Sequence, residues 1–180
     1  TVQRFDLGIK LQGTSDGLWQ DLRVSNCARG IDLLGDSAAA GDGLGAEVAN
    51  IQINGGSVSL CTQYGMLVKF VDLPARELTV NSFSFVSNVG PALNLVGVRR
   101  ATFNGCNWTG NTASLSISDG IDANYADLNT TDTITFNGGQ FDGGTLTFNQ
   151  TCARITFRGC EFKNCDFILS VPTNEIILID

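Results

Sequence analysis

The chain has 180 residues, is 43% apolar, and carries 18 acidic against 11 basic side chains, a net charge of −7 with no histidine. Without a basic stripe a nucleic-acid partner is excluded. The missing histidine excludes Ser-His-Asp chemistry, histidine zinc sites and the usual neutral-pH general base. No run of eighteen apolar residues occurs, so no membrane insertion is expected, and the length suits one domain spanning residues 1–180.

In chain order, residues 1–21 read as the close of a turn whose last strand is Ile9-Lys10-Leu11, followed by a loop at Gly13-Thr14-Ser15-Asp16-Gly17. An apolar, polar, apolar triplet then opens a unit at Leu22-Arg23-Val24-Ser25-Asn26-Cys27. Its relatives stand at 51–58, 78–85, 101–108, 134–141 and 155–162, and a last copy begins at Ile176-Ile177-Leu178. The clearest is Ile155-Thr156-Phe157-Arg158-Gly159-Cys160-Glu161-Phe162. Starts at 22, 51, 78, 101, 134, 155 and 176 lie, by subtraction, 29, 27, 23, 33, 21 and 21 residues apart, which marks a solenoid.

Within a copy the triplet alternates as a strand does. An Asn-Gly type bend follows, then an apolar or aromatic residue at the eighth position; the first copy departs from this with Arg29. A second alternating pair completes each unit: Ile31/Leu33, Met66/Val68, Leu93/Leu95, Leu115/Ile117, Leu146/Phe148 and Phe167/Leu169. Three short strands per turn predict an all-β chain wound as a single-stranded parallel β-helix of about seven turns.

Stacking places like residues in columns. Inward columns hold Leu22, Ile51, Leu78, Ala101, Ile134, Ile155 and Ile176, then Val24, Ile53, Val80, Phe103, Phe136, Phe157 and Leu178, with Val58, Phe85, Trp108, Phe141 and Phe162 past the bend. Asn54, Asn81, Asn104 and Asn137 would stack their amides, each donating to the next. Thr79, Thr102, Thr135 and Thr156 form an outward column. Cys27, Cys106 and Cys160 fall in one column, the last two being two turns or ~9.6 Å apart, too far for a disulfide. Cys61, Cys152 and Cys165 share no obvious register. With no CxxC pair, zinc and other metals are not expected, and the six cysteines read as small apolar fillers kept reduced.

Two insertions, 35–47 and 118–132, leave the same edge between the third strand of one turn and the first of the next. Between them lie Glu77, Thr79, Arg100 and Thr102, with Arg99 beside them and Asp119 in the longer insertion. This set is either the floor of a glycan-binding groove or a run of cross-strand ion pairs such as Glu77 with Arg100. Carboxylates are then the acid-base inventory, and two of them suffice for glycosidic cleavage. Asp142 and Glu161 face out on adjacent turns with Cα atoms ~8 Å apart, a spacing that suits an inverting pair. Glu77 and Asp122 are further candidates, and Asp119, Asp122, Asp127 and Asp132 lack the calcium-loop pattern. No cofactor is implied. Ile177 and Ile179 are expected on the outside, and neither end supplies the cap that a solenoid needs, so a segment of a longer protein is expected.

The stacked turns and the Asn54, Asn81, Asn104, Asn137 column resemble the right-handed parallel β-helix superfamily of pectate lyases and bacteriophage tailspikes. The resemblance covers residues 22–180, and unequal turn lengths, reduced cysteines and a Thr- and Asn-rich exterior point within it to a tailspike or tail fibre. It implies a homotrimer assembled in the bacterial cytoplasm and carried on the virion. Such a protein binds bacterial surface polysaccharide and often cleaves it, with hydrolysis favoured here because no pectate-lyase calcium and arginine signature is present. The alternatives are a non-catalytic shaft of a viral appendage and a secreted β-helical adhesin.

Overall fold

A computed structural model describes residues 1–12, 16–35, 49–69, 75–118, 132–148, 153–169 and 176–179. Its strands are β1 (Val2–Gln3), β2 (Leu7–Gln12), β3 (Leu18–Ser25), β4 (Arg29–Leu34), β5 (Ala49–Ser59), β6 (Tyr64–Lys69), β7 (Ala75–Asn81), β8 (Ser84–Val86) and β9 (Pro91–Val96). They continue with β10 (Val98–Asn104), β11 (Asn107–Thr109), β12 (Ala113–Ser118), β13 (Asp132–Asn137), β14 (Gln140–Phe148), β15 (Ala153–Arg158), β16 (Glu161–Leu169) and β17 (Ile176–Ile179). Among the described residues these strands pair in parallel with strands two or three places away in the chain, so the chain returns to each face once per turn. This is an all-β parallel solenoid, as the repeats predict.

Three faces run along it. The first is built by β7, β10, β13, β15 and β17, the second by β8 and β11, and the third by β2, β4, β6, β9 and β12; β3, β5, β14 and β16 are long because they bend around a corner and serve two faces. From residue 51 onward the observed register is the one read from the repeats. Ile51, Leu78, Ala101, Ile134, Ile155 and Ile176 stack, as do Ile31, Met66, Leu93, Leu115, Leu146 and Phe167.

The first turn is phased differently. Leu22 pairs with Gly56 and Val24 with Val58, while Trp19 lies under Ile53 and Gln20 under Asn54. The unit therefore opens about five residues earlier than the Leu22 triplet suggests. Val24, not Arg29, occupies the position of Val58, Phe85 and Trp108, and Leu22, not Cys27, lies in the column of Gly56. The mistaken phase arises because Leu22-Arg23-Val24 alternates correctly by itself, on the second face instead of the first. The true opening contains Gly17 and Trp19, the latter only half-buried.

The corners explain how the turns close. Each is centred on a residue with φ > 0, followed by a second such glycine at Gly56 and Gly144, and the recurring positions stack in three columns, with Gly97 between β9 and β10 standing outside them. The first holds Asp21, Gly55, Ser82, Gly105, Gly138 and Gly159; the second Arg4, Asn26, Leu60, Ser87, Gly110, Gly143 and Asn164; the third Asp16, Asn50, Glu77, Arg100, Thr133 and Arg154. At these bends the amide N–H donates to a carbonyl of the neighbouring turn, as from Leu60 to Val86 at 3.1 Å and from Gly105 to Asn137 at 2.8 Å. The bend therefore costs no backbone hydrogen bond, only the steric strain of a left-handed residue, about 1–2 kcal/mol where it is not glycine.

Inside, two aromatic stacks follow the axis. Phe85, Trp108, Phe141 and Phe162 lie face to face with centroids 5.1, 4.2 and 5.1 Å apart, and Phe103, Phe136 and Phe157 at 5.0 and 4.7 Å. The stacks meet edge to face, for example Trp108 on Phe136 at 5.7 Å, so each ring gains about 0.5–1.5 kcal/mol per contact beyond its burial. At the first corner Asn81 donates to Asn54 (2.7 Å), Asn104 to Asn81 (2.8 Å) and Asn137 to Asn104 (2.9 Å), the amide ladder that the sequence predicts. Ile177 stands in register with Thr156, and Ile179 with Arg158; their side chains lie outside the described residues.

Asn104 makes two rungs of the ladder, to Asn81 and Asn137, and Asn137 makes the one to Asn104. Asn104→Ala should cost about 1–3 kcal/mol and Asn137→Ala about half as much, read as denaturant midpoints; equal losses would contradict a continuous ladder. Leu60 stands half-exposed at φ 56°, so Leu60→Asn should raise stability by about 1 kcal/mol. A loss on that substitution would show that the bend is not strained.

Candidate functional site

On the first face an open cleft of about 250 Å³ is lined by Asn50, Ile51, Gln52, Glu77 and Thr79. Asn50 and Glu77 come from the third corner column, and Gln52 and Thr79 from the outward positions of β5 and β7. Gln52 also donates to Asn54 at 3.1 Å, and Asn50 to Asp16 at 2.9 Å. Arg100 meets Glu77 at 2.9 Å, both about half-exposed, so the pair is screened and worth little to stability. Thr79 and Thr102 stack in register, and Arg99 pairs in register with Arg76 below and Asp132 above. Five of the sequence candidates, Glu77, Thr79, Arg99, Arg100 and Thr102, thus share one face. Asp119 and Asp122 lie outside the described residues, as do residues 36–48 and 119–131 of the two insertions and Glu175.

Asp142 and Glu161 sit on the second face in a different arrangement. Glu161 lies over Gln140, and Asp142 lies under Lys163. Lys163 Nζ is 2.9 Å from Glu161 Oε1, and Gln140 donates to Glu161 Oε2 at 3.2 Å. Lys163 also feels the Asp142 charge, and its ammonium is held above its ordinary range chiefly by the hydrogen bond to Glu161. The two carboxylates are offset by the expected two residues, and a cation stands between them.

A polar cluster that the repeat pattern does not disclose lies on the third face. Asp32 alternates with inward Ile31 and Leu33 and so occupies an outward position, yet it is 3% exposed. Lys10 lies beneath it and Arg29 beneath Tyr64. Arg29 donates to Asp6 Oδ2 at 2.8 Å. Burial pushes the Asp32 carboxyl up despite the opposing Tyr64 hydrogen bond and the Arg29 and Lys10 charges, and Asp32 Oδ1 has no partner. Burial, then the bond to Asp32, pushes the Tyr64 phenol up from 10.0 to about 12. The register of Arg29 with Tyr64 follows from the Ile31/Met66 pair; the burial of Asp32 has no signal in the alternation.

The second corner holds another missed network. Asn88 and Asn111, both buried, stack three residues past Phe85 and Trp108. Asn88 Nδ2 donates to Asn111 Oδ1 at 3.0 Å, Asn111 Nδ2 to the Phe85 carbonyl at 2.9 Å, and the Cys61 amide to Asn88 Oδ1 at 3.1 Å.

Among the described residues no group of three His, Cys, Asp or Glu side chains is placed to hold a metal ion, and no helix is long and apolar enough to cross a membrane. Fold and surface define the class as a parallel β-helix with a polar cleft on one sheet face. The chain matches no family model, no curated protein and no solved structure.

Asp32 binds its proton more tightly when folded, so its contribution to stability is complete below the ordinary aspartate range and is lost as pH rises through the raised value. Relative to Asp32→Asn, the unmodified protein should therefore lose stability as pH rises above the ordinary aspartate range of about 4, measured by urea unfolding at a series of pH values. A constant difference, or one that grows in its favour with pH, would show that the carboxyl is not penalised by burial.

Proposed function

We propose that this β-helix is a host-recognition protein of the tailspike or tail-fibre kind, binding bacterial surface polysaccharide along the cleft of the first face as a homotrimer on the virion. One observation carries the reading. All three corner columns adopt the same left-handed backbone, and glycine recurs in the first and second but not among the six residues of the third, Asp16, Asn50, Glu77, Arg100, Thr133 and Arg154; Gly97, at φ 65° between β9 and β10, stands three residues before Arg100 and outside the column. Glycine would relieve the strain there. Retaining amides, carboxylates and guanidinium groups at such positions favours a role for the side chains themselves, and two of them line the cleft. Repeating polar groups about one strand spacing apart suit the hydroxyls of an extended sugar chain.

Glu77 is the carboxylate of this cleft, so it is the first candidate for bond cleavage on this face. Asp142 and Glu161 are a second, with Lys163 between them neutralising charge. The rival reading, a non-catalytic shaft, is favoured by the amide ladder and the Glu77–Arg100 pair, which serve stability without a ligand.

Glu77→Gly separates the readings because it relieves the bend while removing the carboxylate. Capsular or O-antigen polysaccharide should be retained by the unmodified protein and bound at least tenfold more weakly by Glu77→Gly, whose thermal midpoint stays level or rises. New reducing ends would identify hydrolysis, and unsaturated sugars a lyase. No retention by the unmodified protein across a panel of bacterial glycans would leave the shaft, and unaltered binding by Glu77→Gly would move the site off this face.

A further inference from the structure

The corrected register of the first turn brings two buried cysteines into one column. The Thr62 amide donates to the Cys27 carbonyl at 3.2 Å and the Val89 amide to the Cys61 carbonyl at 2.9 Å. In a parallel ladder these bonds set Cys27 directly beneath Cys61, and Cys61 beneath Asn88. Cys27 is 2% exposed and Cys61 fully buried, and both are free thiols. Each thiol is directed to the carbonyl two residues back in its own turn, Cys27 Sγ to Ser25 at 3.5 Å and Cys61 Sγ to Ser59 at 3.6 Å. The side chains therefore lie parallel, one turn apart. One strand spacing, ~4.8 Å between Cα atoms, lies inside the range that a disulfide spans. Higher in the same column, Asn88 and Asn111 touch side chain to side chain at 3.0 Å, so this corner allows direct contact between stacked residues.

We propose that Cys27 and Cys61 are a latent disulfide, a covalent clamp between the first two described turns that closes when the protein meets a disulfide-class oxidant. The step is thiol–disulfide exchange. One thiolate attacks the oxidant's disulfide and releases a thiol; the second cysteine attacks the mixed disulfide, forms the Cys27–Cys61 bond and releases the second thiol. Both protein thiols give up their protons, and their two electrons reduce the oxidant. Burial pushes the Cys61 thiol up, which slows attack in the folded protein, so closure occurs during folding or transient opening of this corner. The other cysteines among the described residues are placed differently: Cys106 and Cys160 flank Gly139, two turns apart, and Cys165 lies over Gly144, while Cys152 lies outside the described residues. The bond would close a loop that contains the 35–47 insertion, and fixing so long a loop removes entropy from the unfolded chain.

The test refolds the full chain from denaturant in a reduced/oxidised glutathione buffer, then counts thiols in denaturant and maps disulfide-linked peptides. The expected result is a fall from six thiols to four, a peptide joining Cys27 to Cys61, and a thermal midpoint about 10 °C higher that returns to the reduced value with dithiothreitol. Cys27→Ala should retain five thiols and the reduced-form midpoint under the same treatment. Six thiols in the refolded protein, glutathione held as a mixed disulfide on either residue, or a bond between any other pair would overturn the proposal.

Discussion

Each turn of this chain changes direction at residues held at positive φ, and the rest of the structure depends on those bends falling in line. A left-handed residue redirects the strand while its N–H still reaches a carbonyl of the next turn, so corner and ladder are satisfied together. Once the bends of successive turns coincide, three flat parallel faces follow, and every side chain between bends is forced over its counterpart. The asparagine ladder and the two ring stacks are consequences of that alignment, as is the tolerance for glycine where no side chain has a task.

The sequence shows this where a turn carries the whole unit. From residue 51 onward the apolar triplets, the Asn-Gly bends and the third-strand pairs fix the register, because each strand's alternation and each bend agree. In the first turn they disagree. Trp19 opens the unit behind a glycine, and the attractive triplet at Leu22 belongs to the next face. That displacement of about five residues put Cys27 in the wrong column and concealed its partner Cys61. Asn88 and Asn111 went unread for another reason, since they stand past the eighth position, where the copies no longer look alike. Asp32 was concealed by strand parity, which assigns it to solvent although it is buried.

The candidate site was legible in its residues more than in its cause. Glu77, Thr79, Arg100 and Thr102 do share a face, as the repeat spacing indicates. Glu77 and Arg100, however, are corner residues, and their exposure comes from the left-handed bend. A charge on a strand face is ordinary, whereas a polar or charged side chain at each left-handed position of this column, where glycine would be less strained, calls for a reason. A ligand along that edge supplies one. The acids on the second face have a local explanation in Lys163, and the Asp32 cluster contributes a carboxyl that burial pushes up, so the three polar regions have different physical origins.

The coaxial register is the claim on which all of this rests, and distances along one outward column test it most directly. Lys10, Asp32, Leu67, Asn94, Ser116 and Thr147 occupy successive turns of the third face. Spin labels at Lys10 paired in turn with Asn94, Ser116 and Thr147 should give separations of ~14, ~19 and ~24 Å by pulsed dipolar spectroscopy, rising one strand spacing per turn. Distances that do not grow in equal steps, or that vary with label position within a turn, would contradict the stacked arrangement.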